Sequence, residues 1–195
     1  NLSVFAKQTQ NNIKKITKVN WKDLKEIKGK YDWIWSCYTE TSCGLKLSIQ
    51  DLKKLSKKTN AKLAIDATAS FGLEKNHKLA DVVSFSSCKG LLGLTGAGFI
   101  CYNVEPKNKV KSFVLCLNNA KEKKMTGPYH AIQSLEIIVK NYQSFKKSVI
   151  INKKKAMKKF KKFLTYPIKN QPLLCTYLSC KVKGTSPKVI LYKPR

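Results

Sequence analysis

Three sites in this 195-residue sequence lie at or just past the ends of apolar runs and carry polar side chains capable of chemistry. They are the hydroxyls of Thr41 and Ser42 after YDWIWSCY, the carboxylate of Asp66 at the end of KLAID, and the amine of Lys89 after DVVSFSSC. A lysine amine condenses with a carbonyl, a carboxylate holds a proton on a ring nitrogen, and a hydroxyl donates to a ring oxygen. Other chemistries have little material. The two histidines, His77 and His130, lie far apart with no acidic cluster nearby, and the seven cysteines (37, 43, 88, 101, 116, 175, 180) contain no C-x-x-C pair. A metal site and a Ser-His-Asp relay are therefore not expected. Gly90, Gly93, Gly96 and Gly98 fit neither G-x-x-x-x-G-K-[ST] nor G-x-G-x-x-G, so they read as a chain reversal needing positive φ and close packing, not as a nucleotide cradle.

The elements that must position these side chains are legible. Residues 31–38, 62–67, 80–87 and 96–103 are short apolar runs suited to strands, and SIQDLKKLSKK after Gly44 has helical periodicity. This order predicts an α/β fold with a mostly parallel sheet and flanking helices. The carboxyl ends of parallel strands open on one edge, where ligands bind, so the hydroxyl, the carboxylate and the amine are expected to converge. That set suits pyridoxal 5'-phosphate, whose ring accepts electrons from a substrate carbanion while a carboxylate keeps its nitrogen protonated. Spacing alone leaves open that Asp66 is a turn residue and Lys89 an ordinary surface lysine.

From Gly127-Pro128 a long helical stretch runs through the Lys-rich segment NKKKAMKKFKK, where Met157, Phe160 and Leu164 fall on one side, and Tyr166-Pro167 breaks it. Two strands are expected in the tail, over 173–182 and 188–192, as the start of a small α+β domain. The predicted organisation is a partial large domain over 1–123, an interdomain helical segment over 124–165, and the beginning of a small C-terminal domain over 166–195.

The formal charge is +28, with 17 lysines and 9 acidic residues up to residue 105 but 22 basic and 2 acidic residues beyond it. Such a balance raises nucleic acid or an anionic lipid surface as partners. Yet 38 of the 39 basic residues are lysine and the other is Arg195, whereas base and phosphate recognition favours the bidentate guanidinium. A solvated lysine surface is the simpler reading, with neither nucleic acid nor membrane expected; a non-enzymatic basic binding module remains the alternative. No run approaches the roughly 20 apolar residues of a bilayer span. The opening residues carry no secretory signal, and free thiols suit a reducing cytoplasmic setting.

Three ordered stretches, YTETSCG (38–44), IDATASFG (65–72) and SSCKGLLGLTGAGF (86–99), closely resemble the class V, fold-type I pyridoxal-phosphate aminotransferases. Within them the likeness is to the 2-aminoethylphosphonate:pyruvate enzymes and the related alanine/serine:glyoxylate enzymes. KMTGPYHAIQSLEIIVKNY (124–142) is similar to a helix start of the phosphonate enzymes, with Gly127 and Tyr129 replacing a proline and a threonine. The resemblance spans about residues 31–165. It implies Lys89 as the Schiff-base lysine and proton shuttle, Asp66 as the partner of the ring nitrogen, Thr41 as the donor to the ring oxygen, and Thr68 as the small side chain on the ring face. It also implies Ser87 as an aid to the phosphate and Thr126 as a phosphate contact donated across a homodimer interface. Cys88 stands where relatives often carry a polar amide and where desulfurases carry a histidine. The implied reaction moves an amino group from a small amine or amino acid to a 2-oxoacid such as pyruvate or glyoxylate. No Gly-Ser/Thr segment opening a helix precedes Thr41, and no arginine is placed for a substrate carboxylate. The sequence therefore reads as an internal fragment of such an enzyme, or as a degenerate remnant of its fold.

Overall fold

The computed structural model describes residues 15–103, 105, 116–122 and 127–179. Four strands form one sheet in the order β1 (Trp33–Cys37), β4 (Lys62–Asp66), β5 (Val82–Ser86) and β6 (Gly98–Tyr102). The first three are parallel and β6 is antiparallel to β5. A small antiparallel pair, β2 (Thr39–Glu40) with β3 (Leu45–Lys46), leads from β1 into helix α1 (Ile49–Lys58). Helix α2 (Leu117–Glu122) is short, and helix α3 (Tyr129–Lys159) runs for 31 residues.

Local chemistry accounts for these elements. The Ser48 hydroxyl caps α1 by accepting the Asp51 N–H at 3.2 Å, and Asp51 in the first turn with Lys57 and Lys58 in the last complement the helix dipole. Ile49, Leu52 and Leu55 recur at helical spacing and are buried. The helix stops at Thr59, whose hydroxyl donates to the Leu55 carbonyl at 2.8 Å, and Asn60 then turns the chain at φ +54°. In β4 and β5 burial alternates residue by residue, so Leu63, Ile65, Val83 and Phe85 face one side. There they pack against Ile49, Leu52 and Tyr38. Phe71 stacks on Phe85 at 3.7 Å and Phe85 on Phe99 at 5.1 Å, closing the core below the sheet's carboxyl edge. At the opposite edge the Asp81 carboxylate accepts the Leu63 N–H at 2.8 Å and pairs with Lys53 at 3.1 Å, tying β5 to β4 and α1.

Four expectations change. YDWIWSCY suits a buried strand by its apolar and aromatic content, but Trp33 and Trp35 are each 49% exposed, because β1 is an edge strand with only one face on the core. The segment 152–162 reads as a solvated lysine face, yet Lys153 is only 7% exposed. Its ammonium donates to the Cys175 carbonyl at 2.7 Å, the Thr176 hydroxyl at 2.5 Å and Gln171 Oε1 at 3.4 Å, three acceptors that offset its desolvation. Phe160 and Leu164 do not extend the helix, which ends at Lys159 before a turn over Lys161–Phe163. Of the two tail strands, the described part of 173–182 contributes one isolated bridge, Leu164 with Leu178, and 188–192 lies outside the described residues.

Candidate active site

Parallel pairing brings the ends of β1, β4 and β5 to one edge. Cys37 stands opposite Asp66, Asp66 opposite Ser84, and Ser86 opposite Gly98 of β6. Strand β2, which follows β1, ends in Glu40 and the turn after it opens with Thr41, the loop after β4 carries Thr68, and the turn after β5 carries Ser87, Cys88 and Lys89.

Asp66 is half-buried as the last residue of β4. Its Oδ1 accepts the Thr68 N–H at 2.8 Å, which orients the carboxylate and leaves Oδ2 without a partner among the described residues. Thr68 is stitched from its other side, since its carbonyl accepts the Gly90 N–H at 2.9 Å. The loop holding Asp66 and the turn holding Lys89 are thus joined through Thr68 and Gly90. Gly90 is required by packing, because a Cβ there would run into the backbone of Phe71. Gly96 supplies the positive φ of the same reversal, at +133°.

Lys89 is exposed at this edge. Its positive charge reaches Glu40, Cys37, Cys88 and, from the C-terminal segment, Cys175. Burial works against ionisation of Glu40, but the Ser42 hydroxyl at 2.7 Å, the Ser42 N–H at 2.9 Å and the Lys89 charge together hold its carboxyl below the usual range. Burial pushes the Cys37 thiol up to about 12, helped by the Asp66 and Glu40 carboxylates, so it stays protonated and donates to the Thr39 carbonyl at 3.0 Å. Cys88 moves the other way. Hydrogen bonds from Ser86, at 3.4 Å, and from Thr95 lower its thiol, and Lys89 adds to the effect.

The predicted site residues separate into three groups. Asp66, Thr68 and Lys89 share the edge, and Thr41 stands in the turn beside it, half-buried and with no hydrogen-bond partner for its hydroxyl among the described residues. Ser87 differs from expectation. It is fully buried, its hydroxyl proton goes to the Leu94 carbonyl at 2.5 Å, and its oxygen accepts the Ala97 N–H at 3.3 Å, so in this arrangement no proton remains for a phosphate. Thr126 lies outside the described residues. Sequence reading passed over Glu40 and Cys37. Glu40 was visible as the acid beside Thr41, whereas nothing in the sequence announces that Cys37 faces Asp66. The unpartnered Asp66 oxygen, the unpartnered Thr41 hydroxyl and the exposed Lys89 amine are groups of the kinds that the ring end of pyridoxal phosphate would require.

Residues 3–131 match the family model described as aminotransferase class-V. Among solved structures, the chain is similar to a phosphoserine aminotransferase from Cytophaga hutchinsonii (TM-score 0.59, 17% identity, 75% of this chain and 48% of that one). It is also similar to an alanine–glyoxylate aminotransferase from Nostoc sp. (TM-score 0.58, 17% identity, 72% and 44%). A third likeness is to a pyridoxamine-pyruvate aminotransferase from Mesorhizobium loti (TM-score 0.57, 19% identity, 73% and 43%). The chain therefore spans less than half the length of these three structures. No curated protein matches the sequence. With the mostly parallel sheet they share and a family match over most of the chain, the protein belongs to the class V aminotransferases, a family of pyridoxal-phosphate enzymes.

Proposed function

We propose that the complete protein is an aminotransferase that moves an amino group from a small amine or amino acid to a 2-oxoacid. The carrying observation is the convergence of Asp66, Lys89 and Thr41 at the carboxyl edge of the sheet, within the stretch that matches the family. Pyridoxal phosphate, when bound, supplies the carbonyl that captures the amine and the ring that accepts the carbanion's electrons. Each residue then has a definite task. The Asp66 carboxylate, oriented by the Thr68 N–H, holds a proton at the ring nitrogen. The Thr41 hydroxyl donates to the ring oxygen, and the Thr68 side chain lies against the ring face. The Lys89 amine anchors the cofactor, and once freed it takes the substrate's α-proton and returns it.

The sequence resemblance favours 2-aminoethylphosphonate, alanine or serine as donor and pyruvate or glyoxylate as acceptor. It also favours a homodimer in which Thr126 reaches the cofactor phosphate of the partner subunit. The contacts of α3 with the Asp66 and Lys89 loops through Tyr142 and Lys146, and with residues 171–176 through Lys153, support a connecting role for 124–165 between a large domain and the start of a smaller one.

The test is chemical. Protein incubated with pyridoxal phosphate and reduced with borohydride is expected to carry the pyridoxyl group on Lys89 by peptide mapping. A label on another lysine, or on none, would overturn the assignment. A panel of the three donors with the two acceptors then identifies the substrate pair.

A further inference from the structure

Helix α3 touches the candidate site through a short row of side chains. The Ser134 hydroxyl accepts the Leu94 N–H at 3.1 Å, the Tyr142 hydroxyl donates to the Gly90 carbonyl at 2.8 Å, and the Lys146 ammonium donates to the Gly72 carbonyl at 2.6 Å. Tyr142 holds a special place in that row. Its phenol end fills the space that a Cβ at Gly72 would need, while its hydroxyl is bonded to Gly90. Gly72 belongs to the loop that begins at Asp66, and Gly90 follows Lys89 directly. One ring therefore contacts both loops that carry the proposed chemistry.

The backbone at Gly90 is consequently held from two sides. Its N–H is given to Thr68, which also orients Asp66, and its carbonyl is held by α3. Burial pushes the Tyr142 phenol above its ordinary range, which favours the protonated form that donates to Gly90. A buried carbonyl that loses its donor reorients or recruits water, and here the peptide that would reorient is the one linking Gly90 to Leu91, which leaves Gly90, the residue directly after Lys89, held only through its N–H.

We infer that Tyr142 is a positioning residue for Lys89, fixing through the Gly90 carbonyl and the Gly72 contact the turn from which the lysine projects toward the edge that holds Asp66. The inference rests on the function proposed above. It goes beyond it in assigning to a helix remote in sequence, 53 residues past Lys89, the alignment of the reactive amine.

Tyr142→Phe removes the hydroxyl and keeps the ring. The rate at which the borohydride-fixed pyridoxyl group appears on Lys89 is expected to fall about tenfold, the scale of one hydrogen bond's net free energy. Amide exchange in the peptide covering 88–94 should quicken without cofactor present. Lys146→Met, which removes the neighbouring bond to Gly72, serves as the comparison: its melting temperature should fall at least as far, with labelling of Lys89 at the unsubstituted rate. Equal labelling rates and equal exchange in the unsubstituted and Tyr142→Phe proteins would overturn the inference alone. Equal slowing by Tyr142→Phe and Lys146→Met would also overturn it, by reducing Tyr142 to general support of α3. An unsubstituted protein that takes no label on Lys89 would overturn the proposed function and this inference with it.

Discussion

The two faces of the four-stranded sheet are built from the same strands and meet different fates. On one, Leu63, Ile65, Val83 and Phe85 are buried under α1 and the Phe71 ring. On the other, Trp33 and Trp35 of β1 share a face with Ala64 and Asp66 of β4 and with Val82 and Ser84 of β5, and the tryptophans stay about half-exposed. Ile100 of β6 belongs to the same face and is 46% exposed. Parallel sheets are ordinarily covered on both sides. Among the described residues only one cover is present, in a chain that spans less than half the length of the structures it resembles. Stability thus comes from the covered face, whereas Asp66 sits at the end of the open one. That division separates the residues that fold the chain from those proposed to do chemistry.

The sharpest way to break the comparison is on the covered face. Leu63→Ala, at a fully buried position of a central strand, is expected to cost about 3 kcal/mol in urea unfolding, from lost transfer energy and the cavity left behind. A cost near zero would mean that this face is not the core.

Asp66→Asn tests the other side of the division. Turnover of the complete enzyme is expected to fall about a hundredfold or more, because a neutral amide cannot hold a ring proton by charge. Unfolding free energy should change by less than about 1 kcal/mol, since an amide oxygen can still accept the Thr68 N–H. Unchanged turnover would reduce Asp66 to a turn residue.

A smaller, pH-dependent effect is expected at His77. Its ring packs between Tyr38 and Phe71 beneath the covered face, and Nε2 lies 3.0 Å from the Ser70 hydroxyl. Burial, with Lys146 assisting and Glu74 opposing, lowers its pKa from the ordinary 6.5, so the folded state prefers the neutral imidazole. The unfolded chain then binds more protons in the window just below pH 6.5, and stability falls with pH there. Melting temperatures between pH 7 and pH 5 should decline in the unsubstituted protein and decline less in His77→Gln. Parallel curves would remove His77 from the account.

The smallest change is predicted for Trp35→Ala. A half-exposed side chain on the open face should alter unfolding free energy by no more than about 1 kcal/mol, well short of Leu63→Ala. A cost equal to that of Leu63→Ala would show that the open face is covered in solution.

Much of this architecture was written locally. The alternation in KLAID and VVSFS, the Ser48 cap and the amphipathic spacing of Ile49, Leu52 and Leu55 specify strand, helix start and buried face within a few residues of themselves, so each element could be read in advance. The positions of Thr41, Asp66 and Lys89 were legible for a related reason: residues just past apolar runs fall at strand ends, and parallel order puts those ends together. What needed the tertiary structure were pairings between distant residues. Whether the Ser87 hydroxyl faces a ligand or the Leu94 carbonyl depends on how the loop closes over seven residues. Likewise, whether Lys153 is solvated depends on Gln171, Cys175 and Thr176 arriving from the far side of a turn. The half-exposure of Trp33 and Trp35 turns on what lies beside β1, and a strand's own sequence carries its period but not the identity of its neighbours. The contact of Tyr142 with Gly72 and Gly90 is of the same kind, because 70 and 52 residues of chain separate the partners and no local pattern encodes such a meeting.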